Sequence, residues 1–204
     1  MQLDRVFVSH THSDHCCELP LVIQMLHGLC SNRRLDVFIP DEYVRPFLAL
    51  LNAMYLFPQH IAVDLHVTGY ADGFVYRGVG FTLGAIANTH LEKSAPLIEE
   101  YDVPNRMQCH SFRIETDAKS LLYSADLGSF EDIAGHLDGL EYAIVESTHV
   151  DVEALFEAAR SSGAGRFVLT HLGEGEERAG LRERIAAAGL DNVTLATDGL
   201  RLEM

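Results

Sequence analysis

Lysine is nearly absent from this chain of 204 residues. Only Lys93 and Lys119 occur, and 15 Lys and Arg against 30 Asp and Glu give a formal net charge of -15. Phosphate backbones are gripped by clustered Lys and Arg, so this deficit argues against a partner that is a long nucleic acid and leaves room only for a locally basic cleft. The acidity otherwise serves colloidal stability. Long apolar runs are lacking too, which argues against a membrane span. The first residues, MQLDRVFV, have neither the basic segment nor the long apolar core of a secretory signal, so the expected location is cytoplasmic. Cys16, Cys17, Cys30 and Cys109 form no C-x-x-C pair, and adjacent cysteines are poorly placed for a disulfide. Free, mostly buried thiols are expected. No internal repeat, low-complexity tract or linker divides the chain, and one domain over 1–204 is expected.

Hydrophobic residues make up 48% and charged residues 22%, the composition of an ordinary globular protein. LDRVFVS reads as a buried strand, CCELPLVIQMLHGLC as a helix, LDVFIP as a strand, and DEYVRPFLALLNAMYLF as a helix capped by Asp41 that ends near Pro58. From Ile61 the segments IAVDLHV, GFVYRG, VGFTLGAIAN, QCHSFRIET and KSLLYSA are short, β-rich and separated by turn residues, which predicts a mainly antiparallel sheet. The remainder alternates between helices FEDIAGHLDG, DVEALFEAARSSG and GEERAGLRERIAAAG and strands EYAIVES, RFVLT, VTLAT and LRLEM. The polar stretch HLEKSAPLIEEYDVPNRMQCH reads as a long insertion, either a lid over a site or a solvated loop.

The chemistry is concentrated in VSHTHSDH, residues 8–15, directly after the first strand. His10, His12, Asp14 and His15 form H-x-H-x-D-H, a spacing that sends three imidazoles and a carboxylate in different directions from one loop. Nitrogen and carboxylate donors suit zinc, manganese or iron. Two such ions roughly 3.5–4 Å apart can clamp one hydroxide between them. This string resembles the signature of the metallo-β-lactamase fold superfamily. His90 in AIANTH, Asp126 in LLYSADLG and His171 in FVLTHLGEG follow in the order of that family's later ligands, and TDG near the end resembles its closing strand pair. The resemblance implies an α/β fold, a four-layer αβ/βα sandwich, with two divalent metal ions, zinc first and manganese or iron as alternatives. It implies one ion on His10, His12 and His90, the other on Asp14, His15 and His171, and Asp126 bridging. His110 in MQCHSF is the rival to His90. A bridging water would lose its proton near neutral pH and attack the substrate, with Asp14 as orienting group or proton acceptor.

Within that superfamily, VSHTHSDHCCELP with FRIE, LLYSAD and VES is most similar to the ribonuclease Z and phosphodiesterase branch. The tRNA-processing members carry a tRNA-gripping arm for which the stretch from His90 to Asp126 has no room. Their His-Glu-Ala-Thr motif appears here as VESTH, with Val145 at the histidine position and His149 as the candidate proton donor in its place. The resemblance therefore implies a hydrolase whose metal-bridged hydroxide attacks a small phosphodiester, such as a cyclic nucleotide or a short oligonucleotide end. Lactone or thioester hydrolysis is the alternative on the same ions; tRNA 3′-processing ranks below it. A metal-binding scaffold without activity is the reading outside enzymes, and seven filled ligand positions argue against it. In the family, strands and a DxG-type turn precede the histidine loop, so the fold is expected to be N-terminally shortened. A missed upstream start, a covering helix or subunit, or strand exchange with a partner would each account for that, and a homodimer is expected.

Overall fold

The structure is a computed structural model and describes residues 3–29 and 33–203. It divides into two compact units, Met1–Ala71 with Pro96–Cys109, and Asp72–Ala95 with His110–Met204.

The first unit is built on a three-stranded parallel sheet in the order β1-β2-β3, with β1 Arg5–Phe7, β2 Arg34–Pro40 and β3 Asp64–Tyr70. Parallel neighbours need a crossover, and helices supply it. Between β1 and β2 lie α1, Ser13–Cys16, and α2, Leu19–Leu29; between β2 and β3 lies α3, Val44–Ala53. The alternation in β2 turns Leu35, Val37 and Ile39 to the core, where Ile23 and Leu26 of α2 and Phe47 and Leu51 of α3 meet them, all buried. A second anchor lies beside the histidine loop: Tyr70, at the end of β3, donates its hydroxyl to Val8 O at 2.5 Å. Burial pushes that hydroxyl well above the usual tyrosine range.

The second unit is a seven-stranded sheet in the order β10-β9-β8-β7-β6-β5-β4. Its strands β4 Val75–Arg77, β5 Thr82–Ala87, β6 His110–Glu115 and β7 Ser120–Tyr123 run antiparallel as a meander. From β7 the direction becomes parallel through β8 Tyr142–Glu146, β9 Arg166–Thr170 and β10 Val193–Leu195. After α4, Ala95–Tyr101, the helices α5 Glu131–Ala134, α6 Val152–Ser161 and α7 Glu176–Ala187 carry the parallel crossovers. Leu122, Val145, Phe167 and Leu169 of the sheet pack with Ile133, Leu155 and Phe156.

Several elements differ from the expectation. The segment IAVDLHV does not open the antiparallel block: β3 pairs parallel with β2 over its whole length, because α3 returns the chain to the same edge direction. The helix expected from Cys16 is two elements, α1 and α2, the second with Pro20 in its first turn, where the ring is tolerated. Cys30, its expected end, lies outside the described residues. Asp41 caps no helix; residues Asp41–Tyr43 form a 3₁₀ turn, and the Asp41 carboxylate pairs with Arg106. The stretch read as a loop insertion is helical in its first half, a 3₁₀ turn at His90–Ser94 running into α4. Its second half is tied down, with Glu42 accepting from Gln108 N at 2.9 Å and Gln108 Oε1 accepting from Glu42 N at 3.1 Å. Residues 201–203 of the expected strand LRLEM form none, and Met204 lies outside the described residues.

Cys16, Cys17 and Cys109 are free thiols, the first and last buried; Cys30 lies outside the described residues. Among the described residues no helix is long and apolar enough to cross a membrane.

Candidate metal centre

In the first unit the ligand-type residues sit where β1 gives way to α1. Val8 N still bonds Phe38 O at 2.9 Å, so the loop leaves the sheet at a fixed point. His10 is fully buried, with Ser9 Oγ 3.1 Å from its Nδ1. The rings of His12 and His15 lie 4.9 and 4.1 Å from that of His10. The single turn of α1 brings Asp14 and His15 side by side, His15 Nε2 lying 3.3 Å from Asp14 Oδ2. Below them Cys16 donates to Thr11 O at 3.6 Å and to Tyr43 Oη at 3.9 Å. Burial, then the Cys16 neighbour, pushes Tyr43 up to about 12, and burial likewise raises the Cys16 thiol.

In the second unit the ligand-type residues sit at the C-terminal ends of strands. His90 follows β5; its Nδ1–H donates to Leu127 O at 3.2 Å and its backbone N–H to Asn88 Oδ1 at 3.1 Å. This fixes the tautomer and turns Nε2, as a lone-pair donor, toward Asp126 Oδ2 at 3.6 Å. Asp126 follows β7 and is nearly fully buried. Its other oxygen, Oδ1, lies 3.1 Å from His171 Nδ1. His171 follows β9, and Thr148 Oγ1 donates to its carbonyl. Both Ala125 (φ 50) and His171 (φ 50) adopt the left-handed backbone conformation that side chains other than glycine avoid. Such strain, about 1–3 kcal/mol per residue, gathers where a side chain must be aimed.

A basic nitrogen facing a buried carboxylate oxygen at 3.6 Å is a repulsive pair of electron donors unless a proton or a cation stands between them. Ligands of one zinc ion sit about 2.0–2.2 Å from it, so their mutual separations fall in the range seen around Asp126. The ligand atoms of Asp126, His149 and His171 all lie within 4.8 Å of one another. The donor set of imidazoles and carboxylate therefore fits a divalent cation.

His149 stands inside this cluster. Its ring is 4.9 Å from that of His90 and 5.2 Å from that of His171, and its Nδ1 is 3.2 Å from Glu146 Oε1 and 3.9 Å from Asp126 Oδ2. The rival His110 is buried at the start of β6 with Nε2 2.9 Å from Asp72 Oδ1, so His90 and not His110 faces Asp126. Two residues escaped the sequence reading. Glu146, 1% exposed, and Asp132, which accepts from Thr89, Gly128 and Ser129, hold the loops that carry the ligand-type residues. Glu146 was visible only as part of VESTH, and nothing in the sequence marked Asp132.

Residues 1–172 match the family model for the Beta-lactamase superfamily domain. No curated protein matches the chain. Among solved structures, the metallo-β-lactamase fold protein YhfI from Bacillus subtilis superposes with a TM-score of 0.72 at 19% identity, over 98% of this chain and 78% of that one. An isothiocyanate hydrolase from Delia radicum gut bacteria gives 0.66 at 18% identity, over 98% and 76%. Zn(2+)-bound PqqB from Methylobacterium extorquens gives 0.60 at 14% identity, over 98% and 73%. At these identities the likeness shows a shared metallo-β-lactamase fold.

Proposed function

Because the chain belongs to the beta-lactamase superfamily, we propose that it is a hydrolase working with two divalent metal ions on a small phosphodiester. The observation that carries this reading is the carboxylate of Asp126, which is buried and offers its two oxygens to two different histidines, His90 on one side and His171 on the other. One carboxylate shared in this way is what a bridging ligand requires. His10, His12, Asp14, His15, His90, Asp126 and His171 would hold the ions, zinc being the metal of the PqqB neighbour and manganese or iron suiting the same donors. When bound, two such cations supply Lewis acidity and a water acidic enough to react near neutral pH.

The residues of the chain do the rest. His90 Nδ1–H on Leu127 O turns Nε2 toward Asp126. Asp14, exposed beside His15, orients the attacking water and takes its proton at Oδ2. His149 donates Nδ1–H to Glu146 Oε1 and passes a proton from Nε2 to the leaving oxygen. A phosphodiester suits paired cations because charge develops on both the attacking and the leaving oxygen. A charge of -15 points to a small substrate over a long nucleic acid.

The test is turnover of bis-p-nitrophenyl phosphate, p-nitrophenyl acetate and a lactone by the zinc- or manganese-loaded protein. Diester turnover abolished by Asp14→Ala is the expected result. Turnover of the acetate or the lactone alone would transfer the assignment to ester or lactone hydrolysis, and no turnover with both ions bound would leave a metal-binding scaffold.

A further inference from the structure

Beside His171 the second unit opens into a cavity of about 500 Å³ between the end of β9, the first turn of α7 and the segment after β10. Thr170, His171, Arg178, Thr197 and Asp198 line it. Of the described residues that line it, Arg178 alone carries a permanent positive charge, in a chain with twice as many acids as bases. Its Nη2 donates to Ala196 O at 3.0 Å, which fixes the guanidinium against the backbone. Its Nε–H is buried and has no acceptor among the described residues, and no carboxylate pairs with it there. An arginine that folds without a counter-ion keeps its charge, because guanidinium does not deprotonate in proteins. Arg178 therefore sits in the cavity wall as a held, uncompensated positive charge next to a proposed metal ligand. Asp198 lines the same cavity, but it is exposed and water screens it, whereas Arg178 is half-buried.

We propose that this cavity is the substrate-anion subsite: Arg178, with Thr197 on the same lining, binds the unreactive anionic oxygen of the phosphodiester and positions its phosphorus beside His171. Guanidinium and phosphate match in shape and charge, and an ionised partner roughly doubles the strength of each hydrogen bond. This rests on the phosphodiester reading and adds to it a residue from outside the ligand motifs. Arg178 is a binding and positioning group; it takes no proton.

The experiment uses the zinc-loaded, isotope-labelled full chain. Dimethyl phosphate is titrated in while the Arg178 Nε–H resonance is followed, with sodium acetate as a parallel arm. Steady-state constants for bis-p-nitrophenyl phosphate and p-nitrophenyl acetate are measured for the wild type, Arg178→Gln and Arg178→Lys. Gln keeps a donor for Ala196 O and removes the charge, so circular dichroism should show it folded. The expected result is a saturable shift with dimethyl phosphate and a KM for the diester raised about tenfold or more in Arg178→Gln, with kcat little changed. Arg178→Lys should recover part of that loss. A resonance that moves while no variant turns over a diester would keep the anion subsite and remove the phosphodiesterase reading. An unmoved resonance, a shift with acetate but not with dimethyl phosphate, or an unchanged KM in a folded Arg178→Gln would overturn the proposal.

Discussion

A carboxylate that is 1% exposed has to be satisfied by the groups packed around it, and Glu146 takes its partners almost wholly from the backbone. It accepts from Leu127 N at 3.2 Å, Thr148 N at 2.6 Å and His149 N at 2.9 Å, and its Oε1 lies 3.2 Å from His149 Nδ1. One side chain thus sets the position of the loop after Asp126, the turn after β8 and the imidazole of His149. Removing it leaves the buried Leu127 N–H unpaired, at about 1–3 kcal/mol, and frees the N–H groups of the exposed Thr148 and His149. Glu146→Ala should therefore lower unfolding free energy by about 1–3 kcal/mol, read from urea denaturation, and cut diester turnover by about 10-fold to 100-fold as His149 loses its orientation. Glu146→Gln, which keeps one acceptor oxygen, should fall between. An alanine variant as stable as the wild type would remove this role. Along the same strand Val145 is fully buried in the core, while His149 lies beyond the strand end beside Glu146.

At the scale of elements, α5 acts as a clamp. From its first turn Asp132 accepts from Thr89 N at 3.2 Å, Thr89 Oγ1 at 3.0 Å, Gly128 N at 3.0 Å and Ser129 N at 3.2 Å, so the loop after β5 that carries His90 is tied to the loop after β7 that carries Asp126. The loops touch so closely that a Cβ on Gly128 would lie 2.1 Å from Thr89 Oγ1 and 2.6 Å from Thr89 C. Asp132→Ala and Gly128→Ala should each weaken zinc binding by about 10-fold to 100-fold, the usual effect of losing a group that orients a ligand, as measured by competition with a chromophoric chelator. Gly180→Ala, in α7 with nothing within 4 Å of the added carbon, should leave zinc affinity alone. Unchanged affinity in both loop variants would sink the clamp. The sequence carried the elements unevenly. Strands such as β2, β8 and β9 were legible because alternating or continuous Leu, Val, Ile and Phe leave no other reading, and the ligand-bearing loops because each polar residue follows such a run directly. The sheet to which β3 belongs was not legible, since strand direction is set by the crossover and not by the strand's own residues. Nor was α4, whose residues are all partly or fully exposed and give no apolar face to read.

For the whole molecule, the charge of -15 makes cation binding an issue of stability as well as of chemistry. Each unit has its own apolar cluster, and imidazoles and carboxylates collect around His10 in one and Asp126 in the other. Divalent ions held by the proposed ligands would bind the folded chain, which fixes those donors in place, far better than the unfolded one. At free zinc about 100 times its Kd this linkage is worth about 2.7 kcal/mol. A chain of this length moves its melting temperature by about 2–4 °C per kcal/mol, so a chelator should lower Tm by about 5–10 °C. Part of that loss comes from self-repulsion of an acidic chain deprived of its cations, which salt screens. The metal-free protein should therefore regain some stability as sodium chloride is raised, while the zinc-loaded protein responds less. Differential scanning calorimetry of the two forms at low and high salt checks both statements. If elemental analysis finds zinc in the protein and the chelator removes it without moving Tm, the ions are not coupled to folding, and the donors were already held in place by hydrogen bonds such as those of Asp132 and Glu146.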